Sequence, residues 1–171
     1  MSELGQETIY YLEMKSPSAH LPKESSDPSF CISAINPPKP EKNQQFYIDV
    51  GQAYSWHERR NWSQADWSKY AIQPNLRTYV ASAKNKEIGY FELFKVGGDV
   101  ELIYFGLLPE AVGLGYGSAM LSQAIQSAWC LLNGVEAGRL WVHTCNYDHP
   151  NALGNYQRSG FTLYKTETLG G

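Results

Sequence analysis

The chain has 171 residues, of which 43% are hydrophobic and 18% are charged, a balance typical of one globular domain with its own core. Its formal net charge of −3 argues against nucleic acid as a main partner. No apolar stretch approaches the length of a membrane span, and the first residues lack the basic and apolar segments of a signal peptide. We therefore expect neither a membrane partner nor a secretory route.

The three cysteines, Cys31, Cys130 and Cys145, are odd in number and lack a C-x-x-C spacing. This pattern disfavours a disulfide framework and favours a reducing compartment. A cytoplasmic location is therefore expected.

The first 44 residues form the least regular part of the chain. Residues 8–15 and 30–35 are strand candidates, separated by a stretch rich in proline and serine that predicts a loop. We expect one or two strands here and a folded core from residue 45 onward.

Two helices are predicted between residues 45 and 70. An apolar stripe at helical spacing runs through the first, on Phe46, Val50, Ala53 and Trp56. Ser63 is a candidate N-cap for the second helix, which turns Trp67 and Tyr70 inward. The pair Arg59 and Arg60 between them is interpreted as a solvated face, the alternative being that either residue steers an anionic group of the substrate.

Three successive strands follow, at residues 76–83, 87–94 and 100–108. Short polar or glycine-rich links join them, which predicts antiparallel hairpins.

A long helix is expected over residues 117–132, where apolar residues recur on one stripe, at Leu121, Ile125, Ala128 and Leu132. The strand at 139–144 then follows a crossover, which implies parallel pairing with residues 100–108. A helix at 150–159 and a strand at 161–166 complete the predicted elements.

Gly113, Gly115 and Gly117 alternate between the third of these strands and the long helix. Small residues leave N–H groups at the helix N-terminus uncovered, which suits a phosphate or pyrophosphate. The alternatives are a turn without a ligand, a dinucleotide site and a coenzyme A site. The G-x-G-x-x-G spacing of dinucleotide sites is not matched, and a P-loop is excluded because no Gly-Lys-Ser/Thr occurs.

Two motifs here resemble those of the GNAT superfamily of N-acetyltransferases. The family's Gln/Arg-x-x-Gly-x-Gly/Ala motif falls on Val112, Gly113, Leu114, Gly115, Tyr116 and Gly117. The second motif, a Tyr followed by three residues and Gly-Phe, falls on residues 156–161. The resemblance covers residues 48–166.

The resemblance implies an α/β (α+β) fold of the GNAT type, with a mixed, mostly antiparallel sheet flanked by helices and a splayed central strand pair. It also implies a single domain over residues 1–171, with residues 45–171 as the acetyltransferase core. The family's usual last strand is missing or very short in this chain.

The resemblance further implies acetyl-CoA as the acyl donor, without a metal. In the family, amides of the glycine motif hold the pyrophosphate, so the six residues of the motif and Ser118 are candidate cofactor-binding residues. The backbone of the preceding strand, at Phe105, Gly106 and Leu107, is expected to contact the pantetheine arm.

Two departures from the family affect this site. Val112 stands where the family usually has Arg or Gln, and position 114 is Leu, so pyrophosphate binding is expected to rest on backbone amides and the helix dipole, with Arg158 as the candidate cation. His149 stands where many relatives place an Asn that binds coenzyme A, and Asn151 is the candidate substitute.

Acetyl transfer to an amine also needs a base and an acid. Glu101 lies in an apolar strand and is expected to share a face with Ile103, Phe105 and Leu107, and its spacing from the glycine turn resembles that of the family's glutamate base. Glu92 is the rival, and a water chain or a merely solvated Glu101 are further alternatives. Tyr156 stands where the family places the acid that protonates coenzyme A sulfur, the alternative being an aromatic packed on the sheet.

The candidate acceptor-binding residues are Trp56, Trp62, Glu92 and His143. In the family the first two helices and their connection form one wall of the acceptor site, although the tryptophans could instead only pack these helices on the sheet. Asp148 or Asn146 is expected to cap the next helix, unless this polar cluster lines the active site. A zinc site is disfavoured because the spacing matches no recognised metal motif.

The sequence thus predicts an N-acetyltransferase that moves an acetyl group from acetyl-CoA directly to the primary amine of a small molecule. Direct transfer is expected because no cysteine stands next to an evident activating base. A non-catalytic acyl-CoA-binding module and an enzyme that acetylates a protein N-terminus or lysine are the alternatives. A homodimer is compatible with the sequence.

Overall fold

The computed structural model describes residues 6–54 and 56–169, which form seven strands and four α-helices. In chain order these elements are β1 Glu7–Met14, β2 Cys31–Ala34, α1 Pro40–Gly51, α2 Gln64–Ala71, β3 Leu76–Ala83, β4 Lys86–Val96, β5 Asp99–Leu107, α3 Tyr116–Leu131, β6 Arg139–Cys145, α4 Ala152–Arg158 and β7 Thr162–Leu169. Ser63 caps α2 in a reciprocal capping box with Asp66, and Lys84 and Asn85 close the β3–β4 hairpin at positive φ.

All of these strands belong to one sheet, in the order β2-β3-β4-β5-β6-β1-β7. Neighbours are antiparallel except β5 and β6, which run parallel on either side of the α3 crossover. The predicted mixed, mostly antiparallel sheet flanked by helices is therefore confirmed.

Helices cover the two faces of the sheet. Phe91 of β4 belongs to an apolar cluster that includes Leu121 and Ile125 of α3. Its neighbour Tyr90 points the other way, into a second cluster with Phe46 and Val50 of α1. We call these sides the α3 face and the α1 face.

β1 lies inside the sheet, antiparallel to both β6 and β7. β6 and β7 are joined through α4 and do not pair with each other, because the N-terminal strand runs between them. The sequence predicts this strand but not its place between β6 and β7.

The parallel pair β5–β6 separates along its length. Backbone pairing runs only from Asp99 opposite Arg139 to Leu102 opposite Val142. β5 then continues to Leu107 and β6 to Cys145 without pairing to each other. The predicted splayed central strand pair is therefore confirmed, with a wedge-shaped gap between the two strands.

A β-bulge changes which side chains of β5 share a face. Glu92 of β4 lies opposite Tyr104, whereas the next residue, Leu93, lies opposite Leu102, so Ile103 is the extra residue. As a result, Leu102 and Phe105 both pack on the α3 face. The prediction that Glu101 shares a face with Phe105 and Leu107 is wrong, because the bulge reverses the alternation between them.

The segment between β1 and β2 crosses the outside of α3. The backbone N–H of Lys23 donates to the Ser122 hydroxyl at 2.8 Å, and the backbone N–H of Leu21 donates to the Ser159 carbonyl at 3.0 Å. This loop therefore holds both α3 and the end of α4, a role that its composition does not reveal.

Candidate functional site

The N-terminus of α3 is open. Gly115 is its N-cap with φ +91°, and no side chain of the described residues caps the helix. A Cβ atom added to Gly113 or Gly115 would have nothing within 4 Å. The first N–H groups of α3 therefore face open space, as an anion site at a helix N-terminus requires.

The flanking residues hold this turn without filling it. Val112 and Leu114 are exposed at 36% and 65%. Tyr116 is buried, and its hydroxyl donates to the Asp27 carboxylate at 2.6 Å, while the Ser118 hydroxyl donates to Asn155 Oδ1 at 3.1 Å. The side chain of Tyr116 thus serves the fold, and its contribution to an anion site is its backbone N–H.

An apolar path leads from this turn into the gap on the α3 face. A Cβ on Gly117 would lie 3.9 Å from Leu107, and Phe105 contacts the Tyr156 ring edge to face, with centroids 6.3 Å apart. Tyr156 is 7% exposed and packs against Phe161. Burial, with a smaller effect from Asp148, raises the pKa of Tyr156, so the phenol keeps its proton at neutral pH.

Gly106 faces the opposite side. A Cβ there would collide with the side chain of Val50, and Trp56 lies next to it. Position 106 must therefore be glycine because α1 approaches the strand closely.

The loop after β6 departs from the predicted capping. Asp148 accepts hydrogen bonds from the Thr144 hydroxyl at 2.5 Å and the Cys145 N–H at 3.2 Å, and Asn146 accepts one from the Thr8 N–H at 2.9 Å. Neither residue caps α4, whose N-cap is Asn151. Both side chains instead bind β6 or β1, so that prediction is wrong.

Asn151, the candidate coenzyme contact, is exposed. Its backbone N–H donates to His149 Nδ1 at 3.0 Å. Arg158, the candidate cation, is also exposed and lies at the last turn of α4, folded over Gly154.

Glu101 and His143 meet on the α1 face where β5 and β6 separate. Glu101 Oε1 lies 3.6 Å from His143 Nδ1, and the two side chains are 16% and 47% exposed. Contact with the Glu101 carboxylate raises the pKa of His143, because a nearby anion stabilises the imidazolium.

Trp56 lines the same face of the gap. Its ring centroid is 4.8 Å from that of Tyr104, and its Nε1–H lies 3.4 Å from Asp148 Oδ1. The α1–α2 connection is thus anchored both to β5 and to the loop that follows β6.

Arg59 forms the centre of an aromatic cluster that the sequence analysis missed. Its guanidinium carbon lies 4.5 Å from the ring centroid of Trp62, 4.1 Å from that of Tyr70 and 4.7 Å from that of Tyr104. The interpretation of Arg59 as a solvated residue is wrong, although its neighbour Arg60 is exposed. Trp62 and Tyr70, which lie close to Arg59 in sequence, were the available signal for cation–π stacking.

Glu92 lies beneath this cluster and is 1% exposed. It accepts hydrogen bonds from Asn43 Nδ2 at 2.6 Å and from the Tyr70 hydroxyl at 2.5 Å, and burial raises its pKa. The carboxylate therefore reaches the gap only indirectly, through Tyr70 and Arg59.

Neither a metal-binding cluster nor a membrane-spanning helix occurs within residues 6–54 and 56–169. No group of three or more His, Cys, Asp and Glu side chains there is arranged to hold a metal ion. No helix in the same residues has the length and apolar character needed to span a bilayer.

Solved structures share this fold. A GCN5-related N-acetyltransferase from Sphaerobacter thermophilus superposes with a TM-score of 0.72 at 11% identity, over 95% of this chain and 50% of that protein. One from Kribbella flavida gives 0.58 at 15% identity, over 95% and 56%. An aminoglycoside acetyltransferase from an uncultured soil metagenomic sample, in complex with trehalose, gives 0.63 at 16% identity, over 79% and 90%.

The first two comparisons show that this chain spans only about half of the length of those proteins. At these identities the likeness is one of fold. No curated protein sequence matches the chain at a significant level. The model of the acetyltransferase (GNAT) family matches residues 40–161, which is more than half of the sequence. The chain therefore belongs to the acetyltransferase (GNAT) family.

Proposed function

We propose that the chain transfers the acetyl group of acetyl-CoA to the primary amine of a small-molecule acceptor. The observation that carries the proposal is the uncapped N-terminus of α3 beside a gap that opens between β5 and β6. A thioester that carries phosphate groups needs an anion-binding site and an adjoining cleft for its arm, and these two features provide both.

The donor is assigned to the α3 face. Backbone N–H groups of the turn, from Val112 to Ser118, bind the pyrophosphate, and Asn151, the N-cap of α4, is a further coenzyme contact. Phe105 and Leu107 contact the pantetheine arm. The turn carries no cation, so the helix dipole and hydrogen bonds supply the attraction.

The acceptor is assigned to the α1 face. Trp56 and Trp62 form its aromatic wall, and Glu101 with His143 provides the negative charge and the proton-accepting group. The aminoglycoside acetyltransferase among the similar structures supports an acceptor of small-molecule size.

Tyr156 is the proposed acid. Acetyl-CoA, when bound, supplies the thioester carbon that the amine attacks. The buried phenol lies beside Phe105 on the strand that lines the gap, and it gives its proton to the departing sulfur. Because its raised pKa keeps it protonated, it is available as a donor throughout the neutral range.

A thiol-release assay over a panel of amines, amino acids and peptides tests the proposal. Replacing Tyr156 with Phe should lower kcat by about 100-fold or more and leave the Kd for acetyl-CoA unchanged. Tyr79→Phe is the matched control, since Tyr79 stacks on Phe91 away from the gap and its variant should keep full turnover. Equal turnover in both variants would remove Tyr156 from the mechanism, and release with peptides alone would overturn the small-molecule acceptor.

A further inference from the structure

The contact between Glu101 and His143 lies at the point where the two central strands part. Leu102 opposite Val142 is the last hydrogen-bonded register pair, and His143 is the next residue of β6. Of the two side chains, the imidazole is the more accessible, at 47% against 16% for the carboxylate. An acceptor that enters from the α1 face therefore meets the ring before it meets Glu101.

The ring is held in orientation by its neighbours. Trp141 stacks against it with centroids 6.0 Å apart, and Tyr11 of β1 lies 5.9 Å away on the adjoining strand. Nδ1 faces Glu101, so a neutral ring that donates from Nδ1 has its lone pair on Nε2. At 3.6 Å the contact is an ion pair, and it leaves Nε2 as the ring nitrogen that is turned away from Glu101.

The surroundings favour a proton on this ring. Three carboxylates act on it: Glu101 of β5, Glu58 of the α1–α2 connection and Asp148 of the loop after β6. On the other side lies Tyr11 of β1, whose ring is covered by Lys165 of β7. The combined effect of the carboxylates raises the pKa of His143. An imidazole, ordinarily near 6.5, is also closer than a carboxylate, near 4.3, to an amine of about 10.

We infer that His143 Nε2 takes the proton from the acceptor ammonium and that Glu101 is the positioning residue that fixes the ring, an inference that rests on the proposed function. From the sequence, Glu101 is the candidate base, with Glu92 and a water chain as alternatives, and His143 is a candidate only for acceptor binding. Because the imidazole is more exposed than the carboxylate, an incoming amine meets His143 first and Glu101 second.

Protons and bonds balance in this scheme. The ammonium gives one proton to His143, and the neutral nitrogen forms the new C–N bond. The C–S bond breaks, sulfur receives the Tyr156 proton, and the second proton shed by nitrogen restores the phenol. The protonated His143 then returns its proton to solvent.

Two measurements test the assignment. The first is the pH titration of the histidine ring protons by NMR, in the wild type and in Glu101→Gln, without any substrate. Loss of the carboxylate should lower the pKa of His143. His20, which contacts Ser122 near α3 and has a pKa lowered by burial, is the internal reference and should not move.

The second measurement is the pH profile of kcat/KM. In the wild type, kcat/KM should rise with pH through the pKa of His143, because only the neutral ring accepts a proton. Glu101→Gln should move this limb to lower pH, and His143→Gln should lower kcat/KM by about 100-fold or more and abolish the limb. His20→Gln is the control and should retain the wild-type profile.

The possible outcomes distinguish failure of the base assignment from failure of the proposed acetyl transfer. Turnover with an unchanged acid limb in His143→Gln, or an unmoved His143 titration in Glu101→Gln, would overturn the inference and leave the acetyl transfer standing. Binding of acetyl-CoA without transfer to any amine would overturn the proposed function, and the inference with it.

Discussion

Two carboxylates on the α1 face of the sheet occupy different surroundings. Glu92 is 1% exposed and accepts hydrogen bonds from Asn43 and Tyr70, whereas the Glu101 side chain is 16% exposed and contacts His143. Burial raises the pKa of Glu92, because a charge without water around it is costly. Glu92 therefore maintains the Arg59 aromatic cluster, and the Glu101–His143 pair is the group that we propose for the acceptor.

Glu92→Gln should lower the free energy of unfolding by about 1–3 kcal/mol, because glutamine offers one acceptor oxygen where the buried carboxylate offers two, to Asn43 and Tyr70. Urea denaturation measures this loss. Glu87→Gln on the same strand is the matched control, since Glu87 forms only a partly exposed ion pair with Lys42, and its loss should stay within about 0.5 kcal/mol.

The pH dependence of the same unfolding experiment has a definite sign. The folded-state pKa of Glu92 is raised above 4.5, so the folded protein holds this proton more tightly than the unfolded chain. The contribution of Glu92 to stability should therefore fall as pH rises from 4.5 through the folded-state pKa, and Glu92→Gln should lack this slope. An identical slope in both proteins would contradict the assignment.

At the scale of elements, local patterns predicted most of the strands and helices. The α3 stripe of Leu121, Ile125, Ala128 and Leu132 is buried as expected, because helical spacing and core burial are expressed within one segment. The β5 faces could not be predicted beyond Ile103, since the bulge depends on how β4 pairs with β5. The surroundings of Arg59 also depend on long-range packing, because the rings that cover it include Tyr70 of α2 and Tyr104 of β5.

The glycine turn before α3 permits a specific test of the donor site. Gly115 and Gly134 both have positive φ, +91° and +79°, and a Cβ on either would have nothing within 4 Å. Alanine at either position should lower the free energy of unfolding by a similar amount, about 1–2 kcal/mol.

Only Gly115→Ala should also weaken acetyl-CoA binding, by about tenfold or more, since it disturbs amides that are proposed to bind phosphate. Isothermal titration of the two variants measures the difference. Equal affinities in Gly115→Ala and Gly134→Ala would show that the turn does not bind the coenzyme.

At the scale of the whole molecule, β1 joins the N-terminal part of the chain to its C-terminal part. The Glu13 carboxylate accepts a hydrogen bond from Arg139 Nε at 2.6 Å, and Asn146 holds the backbone of Thr8 at the other end of the strand. β6 is therefore fixed by β1 over a length at which it no longer pairs with β5. This support allows the central gap to remain open without leaving β6 unpaired.

The proposed donor side depends on local sequence more than the proposed acceptor side does. The glycine turn and Tyr156 lie in short motifs, whose local backbone conformation depends mainly on the residues of the motif itself. The proposed acceptor side combines residues of β1, β5, β6 and the α1–α2 connection. Contacts such as Glu101 with His143 and Trp56 with Tyr104 depend on long-range pairing that no local pattern encodes.

Isothermal titration of the purified chain with acetyl-CoA tests most directly whether the backbone N–H groups at the N-terminus of α3 bind the acetyl donor beside the gap. The account predicts saturable binding of one acetyl-CoA per chain, with free coenzyme A as a competitor. No detectable heat and no competition, in a chain shown to be folded, would contradict it.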